Sequence, residues 1–180
     1  MFLVIAGALL MRDTSGPVSA SAEIDIAAPV QRVWDIQIDF ENWPKWNKDV
    51  GSMELKGPVA PGTVFNWKGG GVSISSQIQE VVPLKRIVWT GKAIGIDAVH
   101  IWEFEEKHGG THVYTRETFT GPLAWLMPGT MRNTLDSTLD NGVIQLKREA
   151  ERQENTAHFC SEGYSYGYSK RCMAKRHSIG

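Results

Sequence analysis

A histidine and a glutamate occupy facing positions of a predicted β-hairpin near the middle of the chain. His100 lies in an alternating segment that ends near Glu105, and Glu117 lies in a second one that begins at His112. An imidazole beside a carboxylate in a dry pocket is expected to have a raised pKa and to be able to pass protons. Such a pair would suit an aldol cyclisation, a dehydration or an isomerisation, in which a proton moves near a carbonyl group. The alternative is a buried polar pair that satisfies itself and orients a ligand.

The register of this hairpin depends on the turn residues Lys107 to Gly110. If these residues form the loop, the inward positions of both strands fall on one face, and a slip by one residue would destroy that agreement. The predicted facing pairs are Glu106 with Thr111, Phe104 with Val113, Trp102 with Thr115, and His100 with Glu117.

Earlier strands and short helices are predicted from periodicity and from turn residues. Residues 18–26 alternate with period two, which indicates a half-buried strand. Pro29 stands where a first helix would begin, and residues 42–46 predict a bend or a second short helix. Further strands follow, separated by breakers such as the Gly69–Gly71 triplet, so that we predict a curved antiparallel sheet of seven strands.

A long amphipathic helix is predicted from Pro128 to about Glu154. Its apolar residues recur at spacings of three and four and form one stripe, which comprises Met131, Leu135, Leu139, Val143, Leu146 and Ala150. A run of strands with helices at its two ends indicates an α+β fold, in which the sheet wraps around the long helix. One helix cannot cover a strongly bent sheet completely, so an apolar cavity is expected between them.

The inward-facing residues around this cavity are the candidate ligand contacts. They comprise apolar strand residues, the polar pair, the helix stripe and part of the apolar link at 123–127. The predicted contacts are Phe65, Trp67, Ile74, Ile78, Trp89, His100, Trp102, Phe104, Thr115, Glu117, Trp125, Leu126, Met131, Leu135 and Leu139. The link is also a candidate gate, because it joins two rigid elements. Trp34 and Trp43 are assigned to the core instead.

The composition is that of one globular domain. Hydrophobic residues make up 42% of the 180 residues, charged residues make up 22%, and the formal net charge is −1. No basic stripe stands out in the central part of the chain, which argues against nucleic-acid binding. We expect no cofactor and no metal, because His158, Cys160, Cys172 and His177 match no standard zinc-site spacing.

The two ends of the chain fall outside the predicted domain, which covers residues 18–155. Residues 156–180 predict a disordered tail, and residues 1–17 predict an apolar arm. The apolar run at 2–11 is shorter than the about twenty residues that cross a bilayer. It predicts a strand or loose arm, or alternatively the remnant of a membrane anchor. The chain is therefore expected in the cytoplasm or, alternatively, at a membrane through residues 2–11, as a monomer or a homodimer.

Several short motifs follow one another in order between about Ser21 and Glu154. They are Ile24–Pro29, Val33–Trp34, Trp43–Trp46, Gly62–Trp67, Trp89–Gly91, His100–Trp102, Gly110–Thr111 and Glu117–Gly121. In these motifs the chain resembles the START-like (SRPBCC) superfamily, and most closely its polyketide cyclase/dehydrase and lipid-transport branch. The resemblance implies a helix-grip fold and a hydrophobic internal ligand. It implies no catalytic residue, because one fold serves many functions.

Three functions remain open at this point. The first is the binding or carriage of a small hydrophobic molecule, such as a lipid or a polyketide-like compound. The second is a cyclase or dehydratase, of the lyase or isomerase type, that uses His100 and Glu117. The third is a protein-binding module like the START-related co-chaperone domains, which a filled interior with an exposed apolar groove would favour.

Overall fold

A computed structural model of the chain describes residues 18–162, with side chains as far as Arg152. The elements in chain order are β1 (Val18–Ile26), α1 (Val30–Ile38), a 3-10 turn (Phe40–Asn42), α2 (Trp43–Trp46), β2 (Val50–Leu55), β3 (Val64–Gly69), β4 (Val72–Val82), β5 (Arg86–Ala93), β6 (Ile96–Lys107), β7 (Gly110–Thr120), α3 (Pro122–Leu126) and α4 (Pro128–Glu162). This order confirms the predicted α+β class, with seven strands and two short helices after the first strand.

The strands form one antiparallel sheet in the order β1-β7-β6-β5-β4-β3-β2. The first strand therefore pairs with the last. After the short helices the chain crosses to the far edge of the sheet at β2 and returns strand by strand to β7. Irregular pairing between Ile78 and Glu80, and between Val50 and Ser52, adds local bends of the kind that β-bulges produce. The result is a curved sheet whose concave face receives the long helix.

The pairing of β6 with β7 confirms the predicted hairpin register. All four predicted pairs are present, with His100 opposite Glu117 and Trp102 opposite Thr115. The same pairing continues to Ala98 and Phe119. The register therefore brings the polar pair and the neighbouring apolar residues to one face of the sheet.

Helix α4 lies across the concave face and packs most extensively against β1. Its predicted stripe is buried from Leu135 to Ala150, with at most 3% of each stripe residue exposed, whereas Met131 is half-buried. The helix extends to Glu162, so the boundary predicted near Glu154 falls inside it. The part of the predicted tail at 156–162 is therefore helical.

One half of the interior is filled by packed side chains. Phe65 is fully buried, and its ring centroid lies 4.8 Å from that of Phe40. Phe104 meets Trp34 of α1 edge to face, with ring centroids 5.4 Å apart. Because α1 and α2 close this half of the sheet, residues such as Ile78 reach the core and not an open space.

Most of the predicted apolar link at 123–127 is the short helix α3. Gly121, at φ 100°, turns the chain at a point where a Cβ atom would approach the carbonyl oxygen of Gly95 to 2.8 Å. The backbone N–H of Leu123 then donates to that same oxygen at 3.0 Å. Trp125 and Leu126 are 73% and 76% exposed, which is a consequence of α3 standing outside the layers of sheet and long helix.

Other predictions concern parts of the chain that lie outside the described residues. These parts are the apolar arm at 1–17, the end of the tail at 163–180, and the side chains of His158, Cys160, Cys172 and His177. Within residues 18–162, no helix is both long and apolar enough to cross a membrane.

Candidate functional site

A cavity of about 350 Å³ lies between the sheet and the first half of α4. Its wall is formed by alternate residues of β3 to β7, by about three turns of α4 and by the segment around α2. Strands β3 to β7 and the β3–β4 turn contribute Trp67, Gly69, Gly70, Val72, Ile74, Ser76, Trp89, Gly91, Ala93, Ile96, Ala98, His100, Trp102, Glu117 and Phe119. The segment from α1 to the start of β2 contributes Gln37, Trp43, Trp46, Asn47, Asp49 and Val50, and α4 contributes Met131, Thr134, Leu135, Thr138, Leu139 and Gly142. The interior is therefore not filled solid, whereas a filled interior would have favoured a protein-binding module.

The cavity exists because small residues stand where a core would need large ones. Gly91 and Ala98 are paired on β5 and β6, and both belong to the wall. On the opposite side Gly142 of α4 leaves room above the ring of Trp102, from which a Cβ atom at position 142 would lie 3.7 Å away. Next to them the aromatic residues of β3, β5 and β6 supply large flat apolar surfaces. The space between these elements is predominantly apolar.

The cavity opens to solvent beside the first turns of α4. Val72, the first residue of β4, is 50% exposed and belongs to the wall. Thr134 and Thr138 are also exposed wall residues, one turn apart on α4. An apolar molecule could therefore enter between this helix face and the β3–β4 turn.

The polar end of the cavity is formed by His100 and Glu117. The imidazole Nδ1 lies 3.6 Å from Glu117 Oε1, and only 11% and 13% of the two side chains are exposed. Burial disfavours the charged form of each group. It lowers the pKa of His100 to about 3 and raises the pKa of Glu117 to about 8. At neutral pH the site therefore holds a neutral imidazole and a protonated carboxyl group.

This result corrects the expected direction of the His100 pKa, which we had predicted to rise. The prediction assumed an ionised Glu117, whose negative charge would stabilise an imidazolium. In the folded chain the carboxyl group is buried as deeply as the imidazole, so its own pKa rises and it carries no charge at neutral pH. Desolvation, without a compensating charge, then decides the His100 pKa.

Aromatic rings hold the imidazole from both sides along the sheet. The His100 ring centroid lies 4.8 Å from that of Trp89 and 5.5 Å from that of Trp102. Behind the imidazole, Nε2 lies 2.9 Å from the hydroxyl oxygen of Thr115. These contacts leave the imidazole a fixed orientation in the wall.

Two buried polar atoms in wall residues have no hydrogen-bond partner in the described part of the protein. They are Gln37 Oε1, an acceptor, and Trp102 Nε1, a donor. A buried polar atom without a partner costs about 1–3 kcal/mol. By contrast, the indole N–H of Trp43 donates to the Gln37 carbonyl oxygen at 2.9 Å, and that of Trp67 donates to Ser76 Oγ at 3.1 Å.

The structure brings most of the predicted contact residues to the cavity wall. These are Trp67, Ile74, Trp89, His100, Trp102, Glu117, Met131, Leu135 and Leu139. Six predicted contacts lie elsewhere. Phe65, Ile78 and Phe104 are in the filled half of the core, Thr115 lies behind His100, and Trp125 and Leu126 are exposed on α3. Contact with a ligand remains a prediction for the nine wall residues.

Sequence reasoning missed several wall residues. Trp43 was assigned to the core, and it is buried there while also lining the cavity. Phe119 carries a usable signal, since it continues the inward alternation of β7 that contains Glu117. Thr134 and Thr138 lie beside the apolar stripe of α4, but their polar side chains gave no indication of burial against a ligand. Gln37 had no signal, because its position depends on how α1 meets the sheet.

A second depression is wider and has a different character. It has a volume of about 600 Å³ and lies open along the end of β2, β3 and β4. Its walls include polar side chains such as Ser73, Ser75 and Lys92. Within the described residues, no group of three or more His, Cys, Asp or Glu side chains is placed to hold a metal ion, there or in the cavity.

Comparison with known proteins gives the same picture at the level of the family. Residues 17–151 match the model of the family described as polyketide cyclase / dehydrase and lipid transport. A protein from Streptomyces cyaneus, named as a candidate polyketide cyclase, is 30% identical in an alignment of 110 positions that covers 54% of this chain and 69% of that protein.

Solved structures show the same fold at low sequence identity. A hypothetical protein from Helicobacter pylori superposes with a TM-score of 0.70 at 16% identity, covering 83% of this chain and 98% of its own. A START superfamily protein from Mycobacterium smegmatis superposes with a TM-score of 0.64 at 16% identity, covering 75% of this chain and 98% of its own. The curved sheet around a long C-terminal helix is thus the helix-grip arrangement of the START fold.

Proposed function

The chain belongs to the polyketide cyclase / dehydrase and lipid transport family, and on this premise we propose that it binds a small hydrophobic molecule in the cavity under α4. The observation that carries the proposal is an apolar space of about 350 Å³ that opens beside Thr134 and Thr138. Ligand pockets in proteins occupy about 300–1,000 Å³ and are mostly apolar with a few polar groups. This cavity has both properties, at the smaller end of the size range.

Covering the cavity wall with a ligand is favourable because it removes apolar surface from water. The rings of Trp67, Trp89 and Trp102 present apolar surface to the cavity, and each apolar Å² removed from water contributes about 25 cal/mol. The polar end is neutral, so an uncharged molecule can approach His100 and Glu117 without the cost of burying an ion. A neutral apolar ligand therefore fits better than a charged one.

Binding can be tested with the neutral apolar dye N-phenylnaphthylamine. The dye becomes fluorescent in apolar surroundings and is expected to bind saturably, with quenching of the tryptophan emission that comes from the wall. Any lipid that co-purifies in the cavity is removed first, by extraction with organic solvent followed by refolding of the protein. Dye binding that does not saturate, or that persists unchanged when the cavity is filled by Gly142→Leu, would contradict the proposal.

A second function is favoured by the buried proton donor and acceptor. With His100 neutral and Glu117 protonated, Nδ1 could take a proton from a carbon between two carbonyl groups of the ligand. The resulting carbanion would form a bond to a second carbonyl carbon, and Glu117 would give its proton to the new alkoxide. Transfer of the proton from His100 to Glu117 across 3.6 Å would restore the starting state. Loss of water from the aldol product completes a dehydration.

This second function requires turnover, which binding alone does not. The assay uses as substrate an aromatic compound that carries a linear chain with several ketone groups. Mass spectrometry then detects a ring-closed isomer and the product that has lost water. Conversion is expected to fall by about 100-fold or more in Glu117→Gln and in His100→Phe, within the range known for loss of a general acid or base. If both variants still bound the dye and the parent protein converted no substrate, the enzyme function would be refuted and the carrier function would stand.

A further inference from the structure

Thr115 is buried behind His100, on the strand that also carries Glu117. Its hydroxyl oxygen lies 2.9 Å from His100 Nε2 and 3.0 Å from the carbonyl oxygen of Ile101. A carbonyl oxygen can only accept, so the hydroxyl hydrogen of Thr115 is given to Ile101. The hydroxyl oxygen is then an acceptor towards the imidazole.

These two contacts are satisfied together only by one form of the neutral imidazole. The hydrogen must be on Nε2, where it is donated to Thr115, and Nδ1 must be without a hydrogen. Nδ1 is the nitrogen that faces Glu117. The strand behind His100 thus decides which of its nitrogens carries a lone pair into the cavity.

Glu117 supplies the complementary group. Its buried carboxyl holds a proton at neutral pH, because burial raises its pKa to about 8. The separation of 3.6 Å from Oε1 to Nδ1 exceeds the length of a hydrogen bond, so this proton is not committed to His100. An acceptor and a donor therefore stand side by side, both reaching the cavity wall.

We propose that Thr115 is a positioning residue that fixes His100 in the Nε2-protonated form, and that His100 and Glu117 together bind a hydroxyl group of the ligand. A hydroxyl can donate to Nδ1 and accept from the carboxyl group at the same time. A methyl group in its place satisfies neither, and a carboxylate brings a charge into a neutral, buried site. This inference rests on the proposed ligand-binding function and adds to it the chemical group that the polar end selects.

The positioning role of Thr115 is tested by NMR of protein labelled at the histidine ring nitrogens. In the parent protein, His100 is expected to show a protonated Nε2 and an unprotonated Nδ1 at neutral pH. Thr115→Val is expected to give a measurable population of the other tautomer, and Thr115→Ser is expected to restore the parent signals. Unchanged signals in Thr115→Val, or a protonated Nδ1 in the parent protein, would overturn the proposal.

A matched control comes from the same strand and the same face. Thr111 is also buried, and its hydroxyl donates to the Ala28 carbonyl oxygen at 2.8 Å. Thr111→Val therefore removes a comparable hydrogen bond without contact to His100, and it is expected to leave the tautomer unchanged. If both valine variants changed the His100 signals alike, general loss of packing would be the cause, and the proposal would fail.

The hydroxyl preference is tested with three probes of similar shape, β-naphthol, β-methylnaphthalene and β-naphthoate. The parent protein is expected to bind the naphthol about tenfold more tightly than the methyl compound, as two neutral hydrogen bonds allow, and to bind the naphthoate most weakly. Glu117→Leu is expected to reduce this preference to about threefold, because only the hydrogen bond to His100 Nδ1 remains. The outcomes separate the two proposals, since binding of none of the probes refutes the proposed function, whereas equal binding of naphthol and methylnaphthalene refutes only the hydroxyl preference.

Discussion

His100 and Glu117 face each other from adjacent strands, with 3.6 Å between Nδ1 and Oε1. Neither group is charged at neutral pH, because burial outweighs the attraction that an ion pair would provide. The pair therefore does not hold the fold together as a salt bridge does. It places a proton donor and a proton acceptor at the end of an apolar cavity.

The pH dependence of stability is expected to reflect the shifted pKa values of both His100 and Glu117. Burial lowers the pKa of His100 from 6.5 to about 3 and raises the pKa of Glu117 from 4.5 to about 8. Between pH 6.5 and 8 the folded chain keeps the Glu117 proton that the unfolded chain has released, so the free energy of unfolding falls as pH rises. The expected slope is about 1 kcal/mol per pH unit.

Below this window the two groups act in opposite directions. Between pH 4.5 and 6.5 the unfolded chain has gained a proton at His100 and lost one at Glu117, so their contributions cancel. Between pH 3 and 4.5 only His100 contributes, and stability falls as pH falls. Urea unfolding at a series of pH values measures these slopes. Glu117→Gln should remove the loss above pH 6.5, whereas Glu105→Gln, on the exposed side of the hairpin, should keep it.

Gly142 offers a way to change the cavity at one position. Alanine fits there, since its Cβ would meet the Trp102 ring at 3.7 Å, an ordinary contact distance. Gly142→Ala should raise the free energy of unfolding by about 0.5–1 kcal/mol, as expected for glycine in a helix interior. Gly142→Leu should fill the space beside Trp102 and weaken dye binding by about tenfold or more, because the ligand then competes with the new side chain.

Both variants are measured by urea unfolding and by dye titration. Gly142→Ala serves as the control for Gly142→Leu, because it alters the same helix position with little change in volume. If Gly142→Leu bound the dye as tightly as Gly142→Ala while remaining folded, the dye would not occupy the cavity under α4.

Two tryptophans should respond differently to truncation. Trp125 is 73% exposed on α3, so Trp125→Ala should change the free energy of unfolding by less than about 0.5 kcal/mol. Trp89 is 3% exposed in the cavity wall, so Trp89→Ala should cost about 3 kcal/mol or more and weaken dye binding. Thermal unfolding and dye titration compare the two. Loss of dye binding in Trp125→Ala would instead give α3 the gating role first expected for residues 123–127.

The sequence was sufficient to predict the sheet, the long helix and the facing of His100 and Glu117. Period-two alternation and the turn at Lys107 to Gly110 determine the hairpin register, because a shift by one residue would expose its apolar set. The spacing of the α4 stripe determines which face of that helix is buried. These are local patterns that depend on few distant contacts.

The distribution of filled and empty space could not be predicted in the same way. Phe104 and Trp102 lie two residues apart on one face, yet Phe104 meets α1 while Trp102 lines the cavity. Which of the two rings contacts α1 and which lines the cavity depends on where the short helices cover the sheet. Trp125 was misassigned because an apolar segment gives no sign of standing outside the layers. The His100 pKa was misjudged because the burial of its partner is also a property of the assembled fold.

The cavity under α4 is the proposed binding site for a neutral apolar molecule. Native mass spectrometry of the protein purified from cells, before and after extraction with organic solvent, measures this occupancy. We expect a discrete added mass that extraction removes, and we expect it to be retained in Gly142→Ala and absent from folded Gly142→Leu. If the folded protein showed only its own mass, and bound neither the extracted material nor the added dye, the cavity would not be a binding site for such a molecule.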